Sequence, residues 1–360
     1  MKKTKTILFL YSELAAYFLS CIKVLANEEK YLIHIIHWPL NEQAPFEFDF
    51  PKQVKFYPKK KFSKTELLKI ASNLNPDLIF CSGWIDKDYL KICKEFRRKI
   101  PVIVGFDNQW IGTTKQWLAV ASRAFTIAPY FSHAWVPGEI QAEFALKLGF
   151  TNNRILRGFY AADFDFFHAL YLKNKEQKEK EFPKRFIYVG RYIEHKGIKD
   201  LWQAFIELQN EKPSDWELWC LGVGPLKEQE VTHPKIKHFG FVQPSEMKKI
   251  IADSGVFVLP SHFEPWGVVV HEFAAAGFPL ICSDKVGANS AFLKQGENGF
   301  IYHSADVEAL KNALKKMTAQ SKEQLLEMGE KSIEKAKLIT PEKWAQTITG
   351  VLSRPEKGIS

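Results

Sequence analysis

The chain has 360 residues, of which 46% are hydrophobic and 14% aromatic, enough for two domains of ordinary size. No apolar run is as long as a membrane span, and five scattered cysteines without a C-x-x-C pair argue against a disulfide framework or a zinc site. The formal charge of +9 is uneven, since residues 1–165 hold 23 Lys/Arg against 16 Asp/Glu.

In chain order, "TILFL" (6–10) reads as a first strand. The apolar run is too short for a signal peptide, and Ser12-Glu13 follows it with no cleavage site. Further strands are predicted at 31–37, 77–80, 101–106 and 134–137, with amphipathic helices such as "TELLKIASNL" and "DYLKICKEFRR" between them. Near-continuous apolar strands alternating with helices predict a parallel, doubly wound sheet. A second series runs through 185–190, 216–222, 235–241, 255–260 and 279–283, which predicts a second Rossmann-like domain. The charge run "YLKNKEQKEKEFPK" separates the two series. The expected layout is therefore an N-terminal domain over 1–168, a charged linker over 169–184 and a C-terminal domain over 185–340. A last helix would occupy 341–360.

The basic excess clusters at Lys59-Lys60-Lys61, Lys64 and Lys69 and at Lys91, Lys94 and Arg97-Arg98-Lys99, with Phe56, Tyr57, Phe62 and Phe96 close by. A solvated basic face is one reading. The other is attraction to an anionic membrane surface or a pyrophosphate-lipid acceptor. No nucleic-acid motif accompanies the charge. Asp163-Phe164-Asp165 spells the metal-binding D-x-D pattern, but a lone three-residue match at a domain boundary carries little weight. No metal or other cofactor is expected.

The most informative stretch runs from Ser261 to Glu272, "SHFEPWGVVVHE". Glu264 precedes the turn made by Pro265 and Gly267, and Glu272 falls on the second turn of the helix that follows. Gly277 and Pro279 end that helix. The N–H groups at Gly267, Val268 and Val269 would open to an anion, aided by the helix dipole. Carboxylates on either side of a phosphate site suit the hydroxyls of a sugar and a ribose. Upstream, Arg191 and Lys196 follow a predicted strand directly, where loops form the ligand crevice of open α/β sheets. Arginine binds phosphate oxygens bidentately and lysine adds a mobile point charge.

Glu264-x7-Glu272, "G-R…K-G" at 190–197, the "LGVGP" loop and "GENGF" together resemble the retaining glycosyltransferases of family 4, which have the GT-B fold. Residues 150–350 carry the resemblance well, the first 150 only in layout. It implies two Rossmann-like domains facing across a cleft, with the last helix crossing back to the first domain. It also implies transfer of a sugar from a UDP- or GDP-linked donor to a saccharide or lipid-linked acceptor, in the synthesis of surface polysaccharide or glycolipid. By resemblance Glu264 contacts hydroxyls of the transferred sugar, Glu272 those of the ribose, and Phe241-Val242 the base. Phe241 reads equally as core. Gly222 and Gly224 permit close approach of backbone to ligand.

In the first domain the pattern departs from the family. No Gly-rich loop follows the first strand, where Ser12 and Glu13 stand instead. Phe106-Asp107-Asn108 replaces the usual His-Asp pair, so Asp107 is the candidate facing the anomeric carbon or the acceptor, with a plain turn residue as the alternative. His133 and Glu139 are the remaining acceptor-side candidates. The expected location is the cytoplasm, with peripheral attachment to the inner membrane face. Competing readings are a sugar-nucleotide epimerase or a phosphorylase on the same fold, or a non-catalytic module that has kept the donor pocket. The transferred sugar, the nucleotide, the acceptor and the oligomeric state are not legible.

Overall fold

The computed structural model describes residues 4–28, 30–39 and 51–353. The chain forms two compact units, one of 1–162 with 339–360 and one of 163–338. The first contains seven parallel strands: β1 (Lys5–Tyr11), β2 (Tyr31–His37), β3 (Val54–Pro58), β4 (Leu78–Ser82), β5 (Val102–Gly105), β6 (His133–Val136) and β7 (Ile155–Arg157). Their order is β3-β2-β1-β4-β5-β6-β7, with Ile7 of β1 opposite Ile33 on one side and Leu78 on the other. The sheet is buried on both faces. Phe9, Phe80 and Trp135 point to one, Leu8, Leu10, Ile79 and Val104 to the other. Double burial is why these strands read as unbroken apolar runs.

The helix Pro341–Ser353 belongs to this first unit and packs on the helix Ala16–Ala26. Trp344 is buried beside Trp135, ring centroids 4.8 Å apart, and its Nε1–H donates to the Phe159 carbonyl at 2.9 Å.

The second unit contains β8 (Arg185–Val189), β9 (Glu217–Leu221), β10 (Ile236–Gly240), β11 (Val256–Leu259), β12 (Leu280–Ser283) and β13 (Gly299–Tyr302). They form a parallel sheet in the order β10-β9-β8-β11-β12-β13. In both sheets the strand order reverses once, between β1 and β4 and between β8 and β11. That switch point is where open α/β sheets build their ligand crevice.

The charge run read as a linker is largely helical, spanning Phe164–Lys180 within the second unit. Asp163 caps it by accepting from the Phe166 N–H at 3.2 Å, and Phe164 and Leu170 are buried. An apolar stripe on one side suffices to dock a helix whose remaining residues are charged. Lys178 on this helix is buried, its ammonium 4.0 Å from the centroid of the Phe278 ring. Among the described residues no helix is long and apolar enough to cross a membrane.

Candidate functional site

In the second unit, loops at the C-terminal ends of four strands are joined by main-chain hydrogen bonds. The loop after β8 takes Tyr192 N–H to the Val223 carbonyl (2.9 Å), and Leu226 N–H returns to the Tyr192 carbonyl (3.0 Å). His262 N–H in the loop after β11 donates to the His195 carbonyl (2.8 Å). Glu264 N–H donates to the Lys285 carbonyl after β12 (3.1 Å), and Gly287 N–H donates to the Glu264 carbonyl (3.0 Å). Arg191, Lys196, Glu264 and Gly267 therefore sit on one backbone-braced rim around the switch point.

Gly222 and Gly224 belong to that bracing. A Cβ at Gly222 would lie 1.8 Å from the Gly190 carbonyl oxygen, and one at Gly224 would lie 2.4 Å from that of Tyr192. The close approach these glycines permit is to the neighbouring loop. Gly267 has φ +95° and starts the helix Val268–Ala275. The Val268 and Val269 N–H groups open that helix and have no carbonyl four residues back to bond.

The side chains on the rim divide unevenly. Arg191 is exposed and forms no ion pair among the described residues; its carbonyl accepts the Tyr188 hydroxyl at 2.9 Å. Lys196 and Glu264 form a partly buried ion pair, with the Ser261 hydroxyl 3.4 Å from the same carboxylate oxygen. The sequence reading gave these two charges separate ligand groups, whereas here they meet as one unit. His262, beside them in the motif, is 2.7 Å from Asp200 and ties the loop to the helix Ile198–Glu211.

Glu272 lies on the helix Val268–Ala275, and burial together with the Asp163 carboxylate pushes its carboxyl up to about 7. Asp163, first residue of the D-x-D pattern, thus acts as a helix cap and as a negative neighbour of Glu272. Phe241 and Val242 follow β10; Phe241 is 48% exposed, which removes the core reading and leaves its ring available at the strand end. A polar cavity of about 680 Å³ opens at the opposite ends of the strands, lined by Lys184, Arg185, Glu217 and Asp253 among others, and includes none of the motif residues.

In the first unit, Ser12 follows β1 and Ser82 ends β4 at the switch point. The Ser12 N–H donates to Ser82 Oγ at 2.8 Å, and the two hydroxyls are 3.0 Å apart. Asp107 follows β5 and accepts from the Tyr160 hydroxyl at 3.4 Å. The Tyr17 and Tyr160 rings pack edge to face at 5.2 Å, and the phenols of Tyr11, Tyr17 and Tyr160 are buried close to the Asp107 carboxylate, which raises all three. Burial, then the charges of Asp107 and Glu13, hold the Tyr17 phenol well above its ordinary range. These phenols are therefore neutral, and Asp107 accepts from the one at Tyr160.

Two acceptor-side candidates lie apart from this cluster. His133 is the first residue of β6, at the N-terminal end of the strand, with Nδ1 2.9 Å from Ser132 Oγ. Glu139 forms a two-pronged ion pair with Arg157, at 2.5 and 3.0 Å, on the surface. Sequence reasoning missed Tyr17, Tyr160 and Ser82 because no motif spacing connects them. The only signal was that each stands at or just beyond an apolar run. The basic cluster is also less free than its composition implies, since Lys59 is paired with Asp86 (2.5 Å) and Asp88 (3.1 Å), and Lys99 with Glu95 (2.5 Å).

Residues 172–337 match the family glycosyl transferases group 1. A glycogen synthase of Mycobacterium tuberculosis is 32% identical over 140 residues, 37% of this chain and 33% of the synthase, so the match spans about a third of that relative. A putative teichuronic acid biosynthesis glycosyltransferase of Bacillus subtilis is 26% identical over 263 residues, covering 69% of this chain and 64% of its own. Among solved structures, Anabaena HepE in complex with UDP and glucose superposes with a TM-score of 0.69 at 14% identity, over 97% of this chain and 99% of HepE. That likeness shows the GT-B fold. The family match falls wholly within the second unit.

Proposed function

We propose that this chain is a retaining hexosyltransferase. It moves a sugar from a UDP- or GDP-linked donor to a saccharide or pyrophosphate-lipid acceptor, without a metal, on the cytoplasmic face of a membrane. Its product feeds a surface polysaccharide or glycolipid. The observation that carries this reading is the braced rim of the second unit, which brings Arg191, the Lys196–Glu264 pair and the start of the helix that carries Glu272 to one switch point.

Charge develops on the diphosphate as the bond from its oxygen to the anomeric carbon breaks. Arg191, Lys196 and the N–H groups of Val268 and Val269 supply fixed positive potential for it. Glu264, held by Lys196 and Ser261, accepts from hydroxyls of the transferred sugar, and Glu272 accepts from the ribose. Gly222, Gly224, Phe241 and Val242 border the place of the base. On the other unit, Asp107 and its tyrosines receive the acceptor hydroxyl, together with Ser12 and Glu13. The acceptor oxygen takes the sugar, and nucleoside diphosphate and one proton are released. UDP is favoured over GDP by the likeness to HepE, which was solved with UDP and glucose.

The test is a panel of UDP- and GDP-sugars screened by thermal shift, since a ligand of the native state raises its midpoint. Nucleoside diphosphate release is then measured with saccharide and lipid-linked acceptors, in the presence of a chelator. The expected result is acceptor-dependent release and a product with the donor's anomeric configuration by NMR. Inverted configuration overturns the retaining assignment. Turnover of the donor without any acceptor, yielding an epimeric sugar, replaces transfer with epimerisation. Binding without release leaves a nucleotide-sugar-binding module.

A further inference from the structure

The segment from Trp110 to Ala128, just beyond β5, is built unlike the rest of the first unit. It contains the helices Thr114–Ala121 and Arg123–Thr126, and neither has a buried residue. The longer one is nevertheless started by a full capping box, Thr113 with Gln116, and Gln116 also binds the Ile111 N–H at 3.0 Å. Short helices are marginal in water unless packing supports them. This one is fixed at its N-terminus yet has its large apolar side chains turned outward. Ile111 is 59% exposed, Trp117 58%, Leu118 68% and Phe125 81%. Leu118 and Phe125 lie on the two successive helices, and at the break between them the Ser122 hydroxyl donates to the Leu118 carbonyl at 2.8 Å. Exposed clusters of this kind mark interaction surfaces.

Charge identifies the occupant. No Asp or Glu occurs between Asp107 and Glu139, and the cations within that stretch are Lys115 and Arg123. At its margin Lys147 sits 4.8 Å over the Trp110 ring, with Glu143 3.7 Å from its ammonium. Two copies of so basic a face would repel. An apolar segment whose own charged residues are Lys115 and Arg123, with no acid among them, matches a bilayer that carries anionic headgroups.

We propose that residues 110–128 are the membrane-docking element of this protein, inserting Trp117, Leu118 and Phe125 between anionic lipids while Lys115 and Arg123 contact their headgroups. This moves the contact surface away from the Lys59 cluster, where Asp86 and Asp88 already neutralise charge. It deepens the proposed function, on which it rests only for the reason the protein would be at a membrane. The segment begins three residues after Asp107, so docking it would bring the acceptor cluster to the lipid surface.

The full chain is tested by co-sedimentation with phosphatidylcholine vesicles, with and without phosphatidylglycerol, and by the blue shift of tryptophan fluorescence. The wild type is expected to bind the anionic vesicles and release as salt rises. A Trp117→Ser/Leu118→Ser/Phe125→Ser variant should lose tenfold or more in partitioning. Lys115→Glu/Arg123→Glu should lose it on anionic vesicles by at least the roughly fivefold per cation expected at such a surface. Lys60→Ala/Lys61→Ala should change binding less than either. Both segment variants should keep the wild-type melting temperature and nucleotide binding, because the replaced side chains are exposed. Should the serine variant fail to fold, the charge variant decides alone. Wild type that binds neither vesicle, or segment variants that bind like wild type, overturns the proposal. A dimer in sedimentation that the serine variant dissolves, without vesicle binding, assigns the face to a second copy instead. Lost vesicle binding with intact transfer to a soluble acceptor leaves the transferase reading standing, and the converse leaves the docking reading standing.

Discussion

The two units place polar groups at the same point of the same topology, yet they make the sites from different material. In the second, the rim is main chain: four loops exchange N–H and carbonyl bonds, and the charged residues are mounted on that frame. In the first, the cluster is side chain: two serines, three phenols and one carboxylate brought together from four separate segments. Under the proposed function, a main-chain frame would fix the geometry around a group common to every donor, the diphosphate. A side-chain cluster is altered by single substitutions, which would suit a surface that meets a variable acceptor.

The comparison breaks most visibly at the cations. Arg191→Ala or Lys196→Ala should each lower turnover by about 10²-fold or more at saturating donor, as loss of a transition-state donor does. Lys196→Ala also strands Glu264, so the double variant with Glu264→Ala should cost less than the two singles combined. Near-normal turnover in both single variants removes the diphosphate assignment.

Next in size is a stability effect confined to the second unit. Burial holds the Lys178 ammonium down to about 7, below the 10.4 of an unfolded chain. The unfolded state therefore binds the extra proton between those values. The penalty is full below about pH 7 and fades as pH rises toward 10.4. Lys178→Met should stabilise by on the order of 2 kcal/mol at pH 7, after the lost cation–π contact is deducted, and by less at pH 9.5. Hydrogen exchange should slow in β8, β11 and β12 while β1 and β4 stay unchanged. Equal slowing in both sheets would show that the units do not open separately.

Smaller still, Glu272→Gln should weaken nucleoside diphosphate binding about tenfold, the scale of a charge-assisted hydrogen bond. Its raised value means that the wild-type carboxylate is lost as pH falls through about 7, so wild-type affinity should drop there and the variant's stay flat. A flat wild-type profile from pH 6 to 8 overturns the ribose role. Smallest, Tyr160→Phe should lower transfer a few-fold with donor affinity unchanged, since it removes only the hydroxyl that donates to Asp107; equal loss of donor binding would erase the division between the units.

The same difference in material decides what could be read from the sequence. Frame-built features depend on glycines and on E-x7-E spacing, which survive as short strings; Gly222, Gly267, Glu264 and Glu272 were found that way. Tyr17, Ser82 and Tyr160 leave no string, because their neighbourhood exists only after β1, β4 and the loop beyond β7 come together. The strands show the same division. Buried β1, β4 and β11 announced themselves as apolar runs, whereas β3 ("VKFYP") is a half-exposed edge strand with one buried residue. β7 and β13 are three and four residues long, too short for any periodicity to register. Exposure was the other hidden quantity. Apolar letters alone do not tell that Trp117, Leu118 and Phe125 are exposed while Ala119 and Val120 beside them pack against the core.

The return of the helix Pro341–Ser353 has a consequence for the order in which the molecule can be made. The second unit is one uninterrupted stretch, so a ribosome delivers everything it needs before the chain is finished. The first unit, most of which precedes the second in the chain, lacks Trp344 until residues 163–338 have been made. Until then Phe9, Phe18 and Trp135 stand without the ring that covers them. The first unit is completed only after the second, and a nascent chain carries that aromatic seam open while the whole second unit is made. A chaperone that recognises exposed aromatic surface would meet it there, and a stop codon before Trp344 would leave a complete second unit attached to an unfinished first one.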